Sequence, residues 1–571
     1  MRSYGGRVFR PGFAICAAAL ILTLHSTSAQ TDLTVSIQVD TATAIAPMTP
    51  MWAWFGNDEP NYAYMKDGKK LLSELAALSP VPVFFRTHNL LTTGDGTAAL
   101  KWGSTNAYTE DSDGKPRYDW TIVDRIFDTY LERKIKPLVQ IGFMPEALST
   151  KPVPYRHFWK PGDNYNDIYT GWAYPPNDYD KWRELVYQWV RHSVQKYGQR
   201  EVESWWWEVW NEPDIGYWRG TQDEFLKLYD YAADGLKRAL PTARIGGPEV
   251  TGPNGMRTQQ ILRNFLEHCL RGTNYATGKT GAPLDFVTFH AKGAPQVMPD
   301  GHVRMSVSNQ LRAINNGFGI VASFPELAKI PIVIGESDPE GCAACPVRTN
   351  PSNAYRNGTM FSSYTAEQLF RTYELADLHK VNLLGSLSWA FEFEDQPYFD
   401  GFRDLATNGI DKPVLNTFRM LAQMSTGQRV KATSTAGLPL EDVRDRSVRQ
   451  QPDVSALATR DARSANVLVW NYHDDDLPGP AARVELAIEG LPAGRPTLTH
   501  YRIDGDHSNS YAVWKSMGSP QSPTSAQYTQ LEKAGQLATL EAPRRVDVKE
   551  GRVVVTFTLP RQGVSLLRLT W

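Results

Sequence analysis

YDKWRELVYQWVRHSVQKYGQREVESWWWEVWNE, Tyr179–Glu212, contains one repeat of the architecture. Trp182, Leu185, Val186, Trp189 and Val190 recur at helical spacing, which predicts a helix over Tyr179–Tyr197 with a single apolar stripe. Ser204–Asn211 is a short aromatic, apolar run, the texture of a buried strand. The strand delivers Asn211 and Glu212 at its C-terminal end.

The same alternation continues on both sides, from about residue 50 to 425. Strands are predicted at Met51–Gly56, Val83–Arg86, Pro137–Gly142, Ser204–Asn211, Arg244–Gly247, Asp285–His290, Pro331–Gly335 and Leu383–Phe391. Helices are predicted at Gly68–Leu78, Tyr118–Arg133, Tyr179–Tyr197, Gln222–Leu240, Gln259–Leu270, Gln310–Phe318, Tyr364–Leu378 and Thr417–Met424. Eight strand–helix repeats predict an α/β fold, a (β/α)8 TIM barrel with a parallel sheet. An open doubly wound sheet is the alternative, but no glycine-rich phosphate loop follows any strand.

Beyond residue 426 the pattern changes. ANVLVWNYH, ARVELAIEG, GRVVVTFTL and GVSLLRLTW alternate apolar and polar residues between Gly, Pro and Asp turns. This predicts an accessory C-terminal β-sandwich over 426–571, with the barrel at 46–425. LTVSIQV, Leu33–Val39, alternates in the same way, so 30–45 is expected to supply an N-terminal strand to the sandwich. The polar stretch Ser516–Gln530 reads as an irregular crossing.

The 571 residues exceed one compact core. Arg2, Arg7 and Arg10, then the apolar Phe13–Leu24 and the small residues Ser26–Ala29, predict a signal peptide over 1–29. The mature chain is then exported, periplasmic or secreted; an uncleaved anchor is the alternative. No other stretch is long and apolar enough to cross a membrane. Net charge is −2 without a basic stripe, which argues against a nucleic-acid partner. Cys16 falls in the signal and Cys269 stands alone. Cys342 and Cys345 form a CxxC with no second ligand pair, so a small disulfide loop or buried thiols are expected, not a metal site. No metal or cofactor is implied.

Barrel chemistry collects at the C-terminal ends of the strands. Those ends carry Arg86 and His88, Asn211 and Glu212, His290 with Lys292 beyond it, Glu336, and Trp389 within strand eight. Two glutamates at one mouth fit glycoside hydrolysis, which needs a proton donor and a nucleophile or base. Glu212, among tryptophans, suits the acid; Glu336 suits the nucleophile if Arg86 holds it ionised. Asp338 and Glu340 compete with Glu336, and Glu146 is a third strand-end carboxylate. Glu208 is expected deeper in the barrel. His88, Asn211, His290, Lys292 and Trp389 are candidate sugar contacts.

These segments resemble glycoside hydrolase family 39, the β-xylosidase and α-L-iduronidase family. The resemblance rests on PLVQIGFMPEAL, WWWEVWNEPDIGYWRGTQDEF, RIGGPEV, LDFVTFHAKG, IPIVIGESDPEG and KPVLNTFRML, in the family's order. It implies a retaining double displacement with Glu212 as acid/base, Glu336 as nucleophile, and sugar contacts from His88, Asn211 and His290. β-Xylosidases of the family commonly carry Tyr where this chain has Lys292; HAKG is closer to the HRKG of α-L-iduronidases, and ESDP to their EADP. The branch with GCAAC after the nucleophile resembles exported bacterial β-xylosidases. An exo-acting β-xylosidase on xylooligosaccharides is therefore expected. Alternatives are α-L-iduronidase or α-L-arabinosidase activity on the same barrel, or a non-catalytic carbohydrate-binding protein.

Overall fold

A computed structural model describes residues 33–571, apart from 79–80, 156–158, 165–167, 390 and 425. The expected signal segment and Cys16 lie outside the described residues.

Eight parallel strand positions close a barrel. In order they are Trp54–Asn57, Phe84–Thr87, Lys136–Ile141, Trp206–Val209, Arg244–Val250, Phe286–Lys292, Pro331–Asp338 and a divided eighth, Asn382–Ser386 with Ser388–Trp389. They are called barrel strands one to eight. The eighth, read from sequence as a single run, is split at Leu387. Its first part pairs with strand seven and its second with strand one, which closes the circle. Strand five runs three residues past the sequence expectation, to Val250.

The barrel interior is packed in layers. Trp54, Leu138, Trp206, Phe286, Val333, Leu387 and Trp389 form an apolar cluster of their own. Trp54 stacks on Phe84 at 4.1 Å, and Trp206 meets Phe286 edge-on at 4.9 Å. Truncating a ring such as Trp206 to Ala would cost about 3–5 kcal/mol, because rigid strands cannot collapse into the space. Glu208 and Arg86, both fully buried, make an ion pair nearer the mouth.

The helices follow their stripes. Tyr179–Tyr197 buries Trp182, Leu185, Val186, Trp189 and Val190. Asp178 caps its first turn, accepting from the Asp180 and Lys181 amides, which leaves fewer orphan N–H groups at that end.

The second body is a ten-stranded, mostly antiparallel sheet. Leu33–Pro47 lies inside it, antiparallel to Gln428–Ser434 and parallel to Ala482–Glu489. Side-chain alternation gives the sheet two apolar faces. Val467 and Val469 join the sheet's own core, with Val35, Val484 and Leu567. Leu468 and Trp470, between and beside them, join the barrel's cluster instead. One face therefore makes the sandwich core and the other grips the barrel helices. Trp470 Nε1 donates to Glu367 of helix Thr359–His379 at 2.6 Å.

Ser516–Gln530, expected as an irregular crossing, is irregular only over residues 517–524 and runs into helices at both ends. Ser510–Ser516 and Ser525–Ala534 are helices. The second begins with a reciprocal cap between Thr524 and Gln527, a Thr-x-x-Gln signature within a polar composition. Leu531 and Trp514 pack there against Phe399 and Ile410.

Candidate active site

The strand ends meet in a cleft of about 680 Å³, lined by Asp58, Lys101, Asn211, Glu212, Tyr217, Lys292, Glu336, Glu340 and Trp389 among others. One carboxylate oxygen of Glu212, one ring nitrogen of His290 and one carboxylate oxygen of Glu336 lie within 4.8 Å of one another. Residues 124 positions apart in the chain thus face each other across one mouth, as 336 minus 212 requires of strands four and seven.

The chain turns sharply to present Glu212. Trp210 and Glu212 have φ of 73° and 44°, a left-handed backbone that costs non-glycine residues of order 1–3 kcal/mol unless the surroundings enforce it. They do so here. The Glu212 amide donates to Glu249 O at 2.8 Å, and Trp210 Nε1 donates to Tyr217 O at 2.9 Å. Asp214 accepts from the Thr251 amide and holds the following loop.

The two carboxylates sit in opposite electrostatic settings. Burial pushes the Glu212 carboxyl above its ordinary range, and the hydrogen bond from His290 Nδ1 at 2.8 Å only partly offsets this. Burial also pushes Glu336 up, but the cations His290, Lys292 and Arg86 outweigh it and hold the group down at about 2. Lys292 Nζ lies 2.5 Å from Glu336 Oε2, and Arg86 Nη1 lies 3.3 Å from Glu336 Oε1. Burial thus favours the protonated form of Glu212, and the cations favour the charged form of Glu336.

Arg86 is the hub of the layer below. It is fully buried, pairs with Glu208, and donates to Asn211 Oδ1 at 3.1 Å. Its guanidinium lies 4.8 Å over the Trp389 ring. Trp389 reaches the cleft and donates through Nε1 to Asp58 Oδ1 at 3.1 Å. A Cβ at residue 56 would stand 2.3 Å from that ring, so Gly56 is what admits it.

Asn211, Lys292 and Trp389 line the cleft. His88 and His290 are fully buried and stand one layer back. His88 Nδ1 is 2.9 Å from Asp58 Oδ1. Burial lowers the His88 pKa, so the ring is neutral and donates to Asp58, which carries its influence to the cleft. Lys292 is committed to carboxylates, contacting Asp338 at 3.1 Å as well as Glu336. Of the competitors, Asp338 accepts from the Trp389 amide at 2.9 Å and is nearly fully buried, while Glu340 pairs with Arg356 at the rim.

Sequence reasoning missed Asp58 and Glu249. Asp58 lies in NDEP, which reads as a turn; its signal was its position just past strand one. Lys101 Nζ meets it at 2.7 Å. Glu249 closes strand five in RIGGPEV, where Gly-Gly-Pro reads as the end of the strand. Cys342 and Cys345 are disulfide-bonded, and both line the cleft beyond Glu340. Cys269 is a buried free thiol. Among the described residues no helix is long and apolar enough to cross a membrane.

Comparison with known proteins places this geometry. The model of glycosyl hydrolases family 39 matches residues 35–553. A β-xylosidase of Geobacillus stearothermophilus is 25% identical over 471 residues, 80% of this chain and 82% of its own. An α-L-iduronidase of Canis lupus familiaris is 26% identical over 597 residues, 100% of this chain and 82% of its own. The crystal structure of a monomeric β-xylosidase from Caulobacter crescentus shares the fold with a TM-score of 0.71 at 22% identity, covering 94% of this chain and 99% of that one. A match spanning nearly the whole of both bodies means that the chain belongs to glycosyl hydrolases family 39 and is a glycoside hydrolase.

Proposed function

We propose that the protein is a retaining exo-glycosidase, a β-xylosidase that releases xylose from the non-reducing ends of xylooligosaccharides. Glu336 is the nucleophile and Glu212 the acid/base. The observation that carries this reading is the close approach of two carboxylates in opposite electrostatic settings: oxygens within 4.8 Å, burial raising one carboxyl and cations holding the other down. Retaining enzymes keep their carboxyls about 5–5.5 Å apart, whereas inverting enzymes leave about 6.5–9.5 Å for a water. Asn211, Lys292 and Trp389 contact the sugar directly, while His88 and His290 act from behind Asp58 and Glu212. The relatives named β-xylosidase, at 25% and 27% identity, favour xylose. An N-terminal signal would export the enzyme.

Lys292 favours a second reading, α-L-iduronidase-like activity, because an ammonium in the cleft can meet a uronate. Its contacts weigh against this, since Glu336 and Asp338 already hold it. Purified protein should hydrolyse p-nitrophenyl β-D-xyloside far faster than 4-methylumbelliferyl α-L-iduronide, and NMR should show β-xylose as the first product. The reverse preference would transfer the enzyme to the uronide; first-formed α-xylose would exclude double displacement.

A further inference from the structure

Glu249 has no task in the double displacement, yet its surroundings are built for it. It is fully buried, with φ of 53°. A Cβ at residue 335 would stand 2.2 Å from Glu249 Oε2, so Gly335 makes the room that this carboxylate fills. Glu249 Oε2 lies 2.6 Å from His290 Nε2, and Oε1 lies 3.8 Å from Arg86 Nε. The other ring nitrogen, His290 Nδ1, lies 2.8 Å from Glu212 Oε1 and 3.8 Å from Glu336 Oε1. The Glu249 contact with Nε2 is a charge contact, not a hydrogen bond. With Glu249 against one side of the ring and Glu336 and Glu212 near the other, the ring is seated among carboxylates, which favours its charged form.

We propose that Glu249 is a positioning residue that holds His290 as a fixed cation shared between the acid/base Glu212 and the nucleophile Glu336. This rests on the roles given to those two residues above. Negative charge changes place during the cycle. In the first step a Glu336 oxygen bonds to the anomeric carbon, the bond to the leaving oxygen breaks, and that oxygen takes the Glu212 proton. Glu336 is then a neutral ester and Glu212 an anion. In the second step water returns a proton to Glu212, its oxygen bonds to the anomeric carbon, and Glu336 departs as a carboxylate. The Nδ1–H between them serves whichever group is charged.

Other charges press on the ring. Arg86 from strand two and Lys292 on the same strand as His290 both disfavour a cation there, and Glu208 is already taken by Arg86. Burial alone would strip the proton, but Glu336, Glu249 and Glu212 together hold the ring's pKa up at about 9. Of these three, Glu249 alone keeps its charge through both steps.

The test is the pH profile of kcat/KM on p-nitrophenyl β-D-xyloside, or on the best aryl glycoside found, for wild type, Glu249→Gln, His290→Gln and the double variant. With Glu249→Gln the ring goes neutral, and both Glu212 and Glu336 lose a neighbouring cation. Both limbs should move to higher pH by about one unit, and kcat should fall about 10- to 100-fold. In the His290→Gln background the same change should cost less than about 3-fold, because the two act as one unit. Lower rates with unmoved limbs, or losses that simply multiply, would overturn the proposal. If circular dichroism shows Glu249→Gln unfolded, Gly335→Ala displaces the carboxylate with every charge kept. The same upward movement of both limbs then supports the proposal, and unmoved limbs overturn it. An inverting wild type would remove the roles of Glu212 and Glu336; unmoved limbs on a retaining wild type would remove only that of Glu249.

Discussion

Barrel strands four and five end alike and behave as opposites. Each delivers a glutamate with a left-handed backbone, Glu212 at φ 44° and Glu249 at φ 53°, and the two are joined by a backbone hydrogen bond of 2.8 Å. Glu212 reaches the cleft, and burial raises its pKa. Burial acts on Glu249 too, but Arg86 and His290 overwhelm it and hold that carboxyl well below the usual range. A strand end supplies a carboxylate to the mouth; the cations around it decide whether it is an acid or an anion. Glu336, surrounded by three cations, belongs with Glu249 in charge and with Glu212 in access.

That contrast can be broken most severely at Glu336. Glu336→Ala should lower kcat about 10⁴-fold or more, read on any active aryl glycoside, because it removes the group proposed to form the glycosyl-enzyme bond. Glu212→Ala should be graded by leaving group. Hydrolysis of xylobiose should fall about 10³-fold, whereas activated aryl glycosides should lose far less in the first step. Added azide should then yield a glycosyl azide of retained configuration, detectable by NMR.

Stability against pH sharpens the same contrast with a smaller effect. The folded-state pKa of His290, about 9, lies above its ordinary 6.5. Its contribution is therefore fully present below pH 6.5 and lost as pH rises through 9. Glu336, at about 2 against 4.5, contributes above pH 4.5 and loses that contribution as pH falls toward 2. Melting temperature should thus decline on the alkaline side between pH 7 and 9.5, and His290→Gln should flatten that slope. The smallest effect belongs to Cys342→Ser/Cys345→Ser. So short a loop constrains the unfolded chain by about 2 kcal/mol at most. KM should shift by less than about 3-fold, since the cleft wall near Cys342 is also held by Arg356, which donates to the Cys342 carbonyl at 2.9 Å.

The barrel was legible because its signals are periodic. The stripe of Tyr179–Tyr197 and the aromatic run before Glu212 each belong to one element, and the elements repeat. The positions of Glu212 and Glu336 at the cleft were legible because each follows an apolar run. Glu249 was hidden by Gly246, Gly247 and Pro248, residues that end most strands but here let strand five continue between bulky neighbours; a Cβ at Gly246 would stand 2.4 Å from Phe286 O. Asp58 was hidden because its value comes from His88, Lys101 and Trp389, which are distant in sequence. The helix Ser525–Ala534 was hidden by composition, although its capping pair was in plain view. The spacing of residues along one element survives in the sequence, whereas the meeting of several elements does not.

The strand Leu33–Pro47 lies between Gln428–Ser434 and Ala482–Glu489, partners that follow it by some four hundred residues. Ribosomes therefore release this segment long before anything exists for it to pair with. An apolar edge waiting through the synthesis of a whole barrel is an invitation to wrong associations. Completing the sheet is also a closure of very high contact order, which folds slowly. Seating this strand is thus a closure that only a nearly complete chain can make.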